Sequence, residues 1–464
     1  MVNVLGYQLS PKMIKTLDFL YTHRAVTIEQ ITRGLGYKQT YSSYKNLYNL
    51  VVKLKDIKLV DSDDIKHSSK HIYYLTKEGH ELMTRYKNIP STKIGMGFNN
   101  DLGYFPYDLY KYPQKQTSHF SLIVELSLHV REFNRLPRLK KITNIRSLAQ
   151  KRRMTNIRSI KPEKNIKRIP SKYKPSQNIH SNALQNKDVH QILFRDNLYA
   201  SQEFMIQEKN KSIKLHYRPD AEILINNKLY AIEIDRTTER GRVLIDKFIG
   251  YRRYFDYLKQ NRNPLPLEIV FITEDRDKDY GLNIRWETLT NMFFKILGEY
   301  STKVNLRLIT INETKKFLLG ETGKGLKQLK GAVDSLAAKN DFIFGDTIRR
   351  LIGEVTGDSY IASRDQYHFY YFGKVQGYET INWINALQFK RDIDHYNIKE
   401  HGSVIDNIVP VFFYVDDKPQ WVGSEILSKN RKMFERSIFF NIRTLNYYQD
   451  TFPARKYNNS LDMM

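Results

Sequence analysis

The chain reads as α/β, an α+β protein of several domains, and three observations predict this. Helical apolar periodicities followed by a short apolar hairpin fill residues 8–90. Strand-like and helix-like runs alternate through 190–311. A second mixture of strands and helices covers 312–464, a C-terminal α/β region to which the sequence assigns no role beyond that of an accessory domain. Residues 91–134 read as a linker and one helix, and 135–189 as a basic insertion. At 464 residues there is room for several domains with cores of their own. The formal charge of +25 and isoelectric point near 9.7 favour a polyanionic partner, nucleic acid first and an anionic membrane surface second. No apolar run reaches the ~18–20 residues of a membrane span, and no leader-like start is visible, so a cytoplasmic location is expected. With no cysteine, disulfides, iron–sulfur clusters and thiolate zinc sites are excluded.

In the N-terminal region, Ser10-Pro11 predicts a helix start, with Ile14, Leu17, Phe19, Leu20 and Tyr21 on its apolar face. Thr27 and Gln30 have capping-box spacing and open a second helix that ends at Gly34-Leu35-Gly36. A third helix from about Tyr41 carries Leu47, Leu50, Val51 and Leu54 on one side. Residues 58–60 and 72–75 then read as wing strands around a polar loop, with a further helix from Thr76. This is a winged helix-turn-helix pattern, in which the third helix enters the major groove and the wing touches backbone. Gln39, Thr40, Ser42, Ser43, Lys45 and Asn46 are the candidates for base or phosphate contacts.

Residues 119–134 form an amphipathic helix whose notable polar members are His119, read as a cap or solvent-face residue, and Glu125, which could instead add to a metal site. From Arg135 to Lys174 the chain carries 15 Lys and Arg against one acid, Glu163, and repeats Thr-Asn-Ile-Arg-Ser twice. It reads as a basic arm tracking phosphates, with Arg152 and Arg153 as its clearest contacts.

In the central region, Gln202–Gln207 reads as a strand. The run Arg218-Pro219-Asp220-Ala221-Glu222-Ile223 and the run Ala231-Ile232-Glu233-Ile234-Asp235 read as a hairpin turning at Asn226-Asn227-Lys228. A helix over 237–258, an apolar strand at 267–273, a helix over 283–300 and a strand at 304–311 complete a mixed sheet. Asp220 and Glu233, 13 positions apart on paired strands, can converge on one divalent cation.

This order resembles the restriction-endonuclease-like fold, whose signature is Pro-Asp followed by (Asp/Glu)-x-Lys. Position 235 is Asp rather than Lys, so the lysine is sought on the next helix at Lys247, with Lys214 as a weaker candidate. The longer string Arg218-Pro219-Asp220, Glu233-Ile234-Asp235-Arg236-Thr237-Thr238-Glu239, Lys247 and Tyr251 resembles the replication-relaxation family, which includes mobilisation-C-type relaxases. The resemblance covers about residues 10–310. It implies a site-specific, metal-dependent DNA nickase or relaxase of a plasmid or integrative element, acting in transfer or replication initiation. Asp220 and Glu233 would ligate Mg²⁺ or Mn²⁺, Asp235 would be a third carboxylate or orient a ligand, and Lys247 would stabilise the pentavalent phosphate or activate water. Tyr251 reads as a packed aromatic or as a second group facing the same cleft. The expected partners are double-stranded DNA at an origin-like site, single-stranded DNA, and transfer or replication proteins. The alternatives are a non-catalytic DNA-binding initiator or regulator that recruits partners, and a restriction-type defence nuclease.

No His-hydrophobic-His triplet is present. Gly320 to Gly325 fails the phosphate-loop pattern, with Leu318 and Gly325 at its decisive positions. In the C-terminal region, helices are expected at 326–338, 346–355 and 429–445 and a strand at 409–415. The aromatic run from Tyr360 to Phe372 reads either as core or as a stacking surface for unpaired bases.

Overall fold

The computed structural model describes residues 2–65, 70–92, 97–98, 103–135, 192–208, 211–236, 241–274, 280–321, 359–363, 369–374, 377–401, 408–414, 420–422, 430–441 and 447–449. Arg152, Arg153 and the rest of residues 136–189 lie outside these, as do Thr237 to Arg240 and the helices expected at 326–338 and 346–355.

A small hairpin, β1 (Val2–Val4) and β2 (Tyr7–Leu9), precedes α1 (Pro11–His23) and was not foreseen. Ser10 caps α1, its Oγ accepting from the Met13 amide at 3.2 Å with Pro11 in the first turn. After β3 (Ala25–Val26), α2 (Ile28–Gly34) starts with the expected reciprocal Thr27–Gln30 box. Then come α3 (Tyr41–Asp56), β4 (Val60–Asp64), β5 (His71–Leu75) and α4 (Lys77–Tyr86). The strands pair antiparallel in the order β3-β5-β4, so helices and wing take the expected arrangement.

The chain continues through α5 (Tyr107–Tyr110) and α6 (Thr117–Arg135), then β6 (Leu193–Asp196), α7 (Asn197–Ala200), β7 (Gln202–Glu208), β8 (Lys211–Tyr217), β9 (Ala221–Ile225) and β10 (Lys228–Asp235). Next are α8 (Arg242–Gln260), β11 (Glu268–Thr273), α9 (Tyr280–Leu297), β12 (Asn305–Thr310) and α10 (Thr314–Leu319). One expectation is corrected here. Gln202–Glu208 does not join the main sheet but pairs with β8 in a separate ribbon, and the strand beside β9 is Leu193–Asp196. Burial explains the choice. All four residues of β6 are buried, whereas β8 alternates exposed and half-buried positions, as suits a ribbon with one wet face.

The last described elements are β13 (Ser359–Ser363), β14 (Phe369–Lys374), β15 (Tyr378–Glu379), α11 (Ile381–His401), β16 (Ile408–Tyr414), α12 (Arg431–Phe434), β17 (Ile438–Asn441) and β18 (Tyr447–Gln449). Within the described residues 430–441, the helix expected over 429–445 is instead a single turn followed by a strand, because Ile438, Phe439 and Phe440 pair parallel with β16. The strand near 409–415 is present as β16, and Tyr371 of the aromatic run is fully buried. These strands form a five-stranded sheet, β13-β14-β16-β17-β18, while β15 crosses over to the edge of the main sheet.

The six-stranded main sheet runs β15-β12-β11-β10-β9-β6, with β10, β11 and β12 parallel and the outer strands antiparallel. The β9–β10 hairpin closes on Asn226 and Asn227, whose φ values of 50° and 65° are those of a two-residue turn matched to strand twist. Each sheet face has its own core. Ile223, Ile225, Tyr230, Ile232 and Ile234 pack with α6 and the winged-helix residues Leu17, Phe19 and Leu20 in one cluster. Ala231, Ile269, Phe271, Leu306 and Leu308 pack with α8, α9 and the C-terminal sheet in the other. The winged helix is therefore built onto the sheet rather than tethered to it. Arg24 reinforces the join, donating to the carbonyls of Tyr110 (2.7 Å) and Lys111 (3.0 Å) and to Asn197 and Asp196.

Candidate active site

Hairpin register builds the site. Ala221 pairs with Ile232 at the end of the β9–β10 ladder, and the amide of Asp220, one residue before β9, donates to the Ile232 carbonyl at 3.0 Å, which holds Asp220 at the Glu233 end of β10. The Asp220 carboxylate accepts the Ile234 amide at 2.8 Å through Oδ2. Its Oδ1 lies 2.9 Å from His119 Nε2, three residues into α6. From the opposite side, α8 brings Lys247 Nζ to 2.7 Å from Glu233 Oε2 and the Tyr251 hydroxyl to 2.6 Å from Oε1. Lys247 and Tyr251 sit one helical turn apart, so a single helix face grips both oxygens of one carboxylate. Glu233 is the floor, with a side chain 2% exposed, while Asp220, His119 and Lys247 are each about one-fifth open to solvent.

The electrostatics separate the two acids. Burial acts to raise the Asp220 pKa, but the His119 contact, the charges of His119 and Lys247 and the Ile234 amide hold it below the ordinary Asp value. Glu233 is pushed up to about 7. Burial is the main cause, the Lys247 charge opposes it, and the charge of Asp220 adds to it. Burial would lower the His119 pKa, but hydrogen bonding to Asp220 and its charge outweigh this, and the ring is held above its ordinary value. Two neighbouring carboxyls with pKa values driven apart mark a candidate acid–base site.

Asp235 is engaged differently. Its side chain is wholly buried, and both oxygens take a forked contact from Arg285 of α9, at 2.5 Å from Nε and 3.0 Å from Nη2. Lys214 is exposed on β8 and pairs with Glu203, away from the carboxylates. Glu125 accepts from Gln30 (2.8 Å) and Arg33 (2.6 Å) on α2, so it joins helices instead of adding to a metal site. Among the described residues no group of three or more His, Asp or Glu is arranged to cage a metal. Asp220 and Glu233 nonetheless fit a hydrated hard cation, which takes one or two carboxylates from protein and completes its shell with water and substrate phosphate.

Of the winged-helix candidates, Gln39, Thr40, Ser42, Lys45 and Asn46 are exposed and Ser43 is half-buried. Thr40 caps α3, accepting from the Ser43 amide at 3.3 Å. Sequence reasoning assigned no functional role to His119 or Arg285; Tyr251 is both buried and turned toward Glu233, so its two readings coexist. A signal for His119 was available: it lies on the same stripe as Ile123, Leu126 and Val130, which faces the sheet.

The arrangement is that of a winged-helix protein with a carboxylate–lysine site at the open end of a mixed sheet. A family model described as replication-relaxation matches residues 17–266 of the 464, and the chain belongs to that family. The match takes in the winged helix, α6, the β9–β10 hairpin and α8. No curated protein matches the chain, and neither does any solved structure. Among the described residues no helix is long and apolar enough to cross a membrane.

Proposed function

We propose that the protein nicks DNA at a specific site of a plasmid or integrative element, in replication or transfer, with the winged helix holding duplex DNA beside the carboxylates. One observation carries this reading: Asp220, at the foot of β9, and Glu233 of the paired β10 lie close enough for their charges to act on each other, with Lys247 2.7 Å from Glu233. Asp220 and Glu233 would hold Mg²⁺ or Mn²⁺, which when bound supplies Lewis-acid polarisation of the scissile phosphate. Lys247, held 2.7 Å from Glu233 Oε2, presents a positive charge to the developing phosphorane. His119 holds the Asp220 carboxylate in its rotamer, and Tyr251 does the same for Glu233. Asp235 and Arg285 tie the end of β10 to α9 and keep the hairpin in place.

The test uses supercoiled plasmid carrying the element's own origin, with Mg²⁺ or Mn²⁺. Wild type converts it to the nicked circle, while Glu233→Ala and Lys247→Ala bind the DNA but do not nick. Nicking by Glu233→Ala at the wild-type rate would refute the site.

A second reading has its own observation. Both Glu233 oxygens already carry internal hydrogen bonds, from Lys247 and Tyr251, which suits a non-catalytic initiator that binds DNA and recruits partners. Tight, salt-sensitive origin binding without cleavage under any divalent ion would establish it.

A further inference from the structure

The outer face of α3 shows which base pairs a helix of this composition suits. Leu47, Val51 and Leu54 point into the core. The opposite face presents two edges. Tyr41 (80% exposed) and Tyr48 (49%) line one, at the spacing that stacks residues along one side of a helix. Exposed Ser42, Asn46 and Asn49 line the other, with Lys45 between the edges and Gln39 ahead of the cap. Thr40, as the cap, and half-buried Ser43 serve the helix rather than its surface. The helix contains no arginine.

In the major groove, guanine is read chiefly by forked Arg or by Lys, adenine by the paired donor and acceptor of Asn or Gln, and the thymine methyl by apolar contact. Three carboxamides and two phenol rings therefore match adenine and thymine, and Lys45 is the sole cation of the first two turns. On the described part of the wing, the acids of β4 are engaged within the fold: Asp61 pairs with Lys55, Asp64 with His71, and Asp63 is held by Tyr74, Tyr112 and Gln114.

We infer that α3 reads an A·T core in duplex DNA, with Asn46 and Asn49 contacting adenines and Tyr41 and Tyr48 packing on thymine methyls. This rests on the DNA-binding part of the proposed function and not on cleavage. The experiment is selection of the full-length protein against a pool of duplexes with a randomised 20-base-pair centre, without divalent ions so that nothing is cut. The expected result is an enriched A·T core. For that core Asn46→Ala and Asn49→Ala should each bind about tenfold more weakly, with binding to an unrelated duplex nearly unchanged. Because both side chains are exposed, the variants should melt like wild type. An enriched G·C core, or an unchanged preference in the Asn46→Ala/Asn49→Ala double variant, overturns the inference and leaves DNA binding intact. Failure to retain any duplex at low salt overturns both.

Discussion

Replacing Arg285 with methionine separates the structural role of Asp235 from the metal-ligand role its motif position suggests. The Arg285 and Asp235 side chains are 7% and 0% exposed, and the fork between them satisfies both carboxylate oxygens. Removing one partner of such a pair leaves an uncompensated buried charge, at a cost of about 3–5 kcal/mol. Replacing both removes the stranded charge as well, so Asp235→Leu/Arg285→Met should fall within about 1 kcal/mol of wild type or above it. The coupling energy from the double-mutant cycle should then exceed about 2 kcal/mol. Urea unfolding followed by far-ultraviolet circular dichroism measures all four corners of the cycle. A cost below about 1 kcal/mol for Arg285→Met, or a double variant no better than the worse single, would refute the reasoning. Asp235 would then have to be reconsidered as a ligand facing the site.

Three further outcomes follow from other contacts. Tyr251→Phe removes a donor from buried Glu233, which should cost about 1–3 kcal/mol in urea unfolding and raise the Glu233 pKa above its present value near 7. Glu268 is buried with Arg307, Glu321 and Glu379. Burial drives its pKa up to about 7, Arg307 opposes this, and the charges of the other two acids add to it. Between about pH 4.5 and 7 the folded state keeps a proton that the unfolded chain has lost, so this group's contribution to stability falls as pH rises. Glu268→Gln is neutral throughout, so its stability relative to wild type should increase from pH 4.5 to 7; a pH-independent difference contradicts the assignment. Gly79→Ala places a Cβ 2.0 Å from the Leu59 carbonyl oxygen, where backbone must shift, and should cost about 1–3 kcal/mol by thermal melting.

What the sequence made legible was local. The Ser10 and Thr27 caps, the α3 apolar stripe and the Asn226-Asn227 turn are decided within a few residues, and each is found where spacing put it. The Asp220–Glu233 convergence was legible for the same reason, since a two-residue turn dictates register. What was hidden depends on partners far apart in the chain. His119 meets Asp220 across 101 positions, and Arg285 meets Asp235 across 50. The choice of Leu193–Asp196 over Gln202–Glu208 as the sheet strand turned on which was buried on both faces. The alternating polar residues of Lys211–Tyr217 were the available sign of a ribbon with one side in water. At the C-terminus, the 429–445 window was apolar enough for either structure, and parallel pairing with β16 decided it.

α6 belongs to two neighbourhoods at once. Gln30 and Arg33 of α2 grip it at Ser121 and Glu125, while His119, two residues before Ser121, touches the Asp220 carboxylate. A protein joined in this way is a ruler. If the proposed nick is made, the offset between the bases read and the phosphate opened is a constant of the fold, set by one short length of helix. One base pair or five inserted between them should leave that distance unchanged and open whichever phosphate then lies at it, with binding intact; a nick that follows the original nucleotide would contradict the ruler.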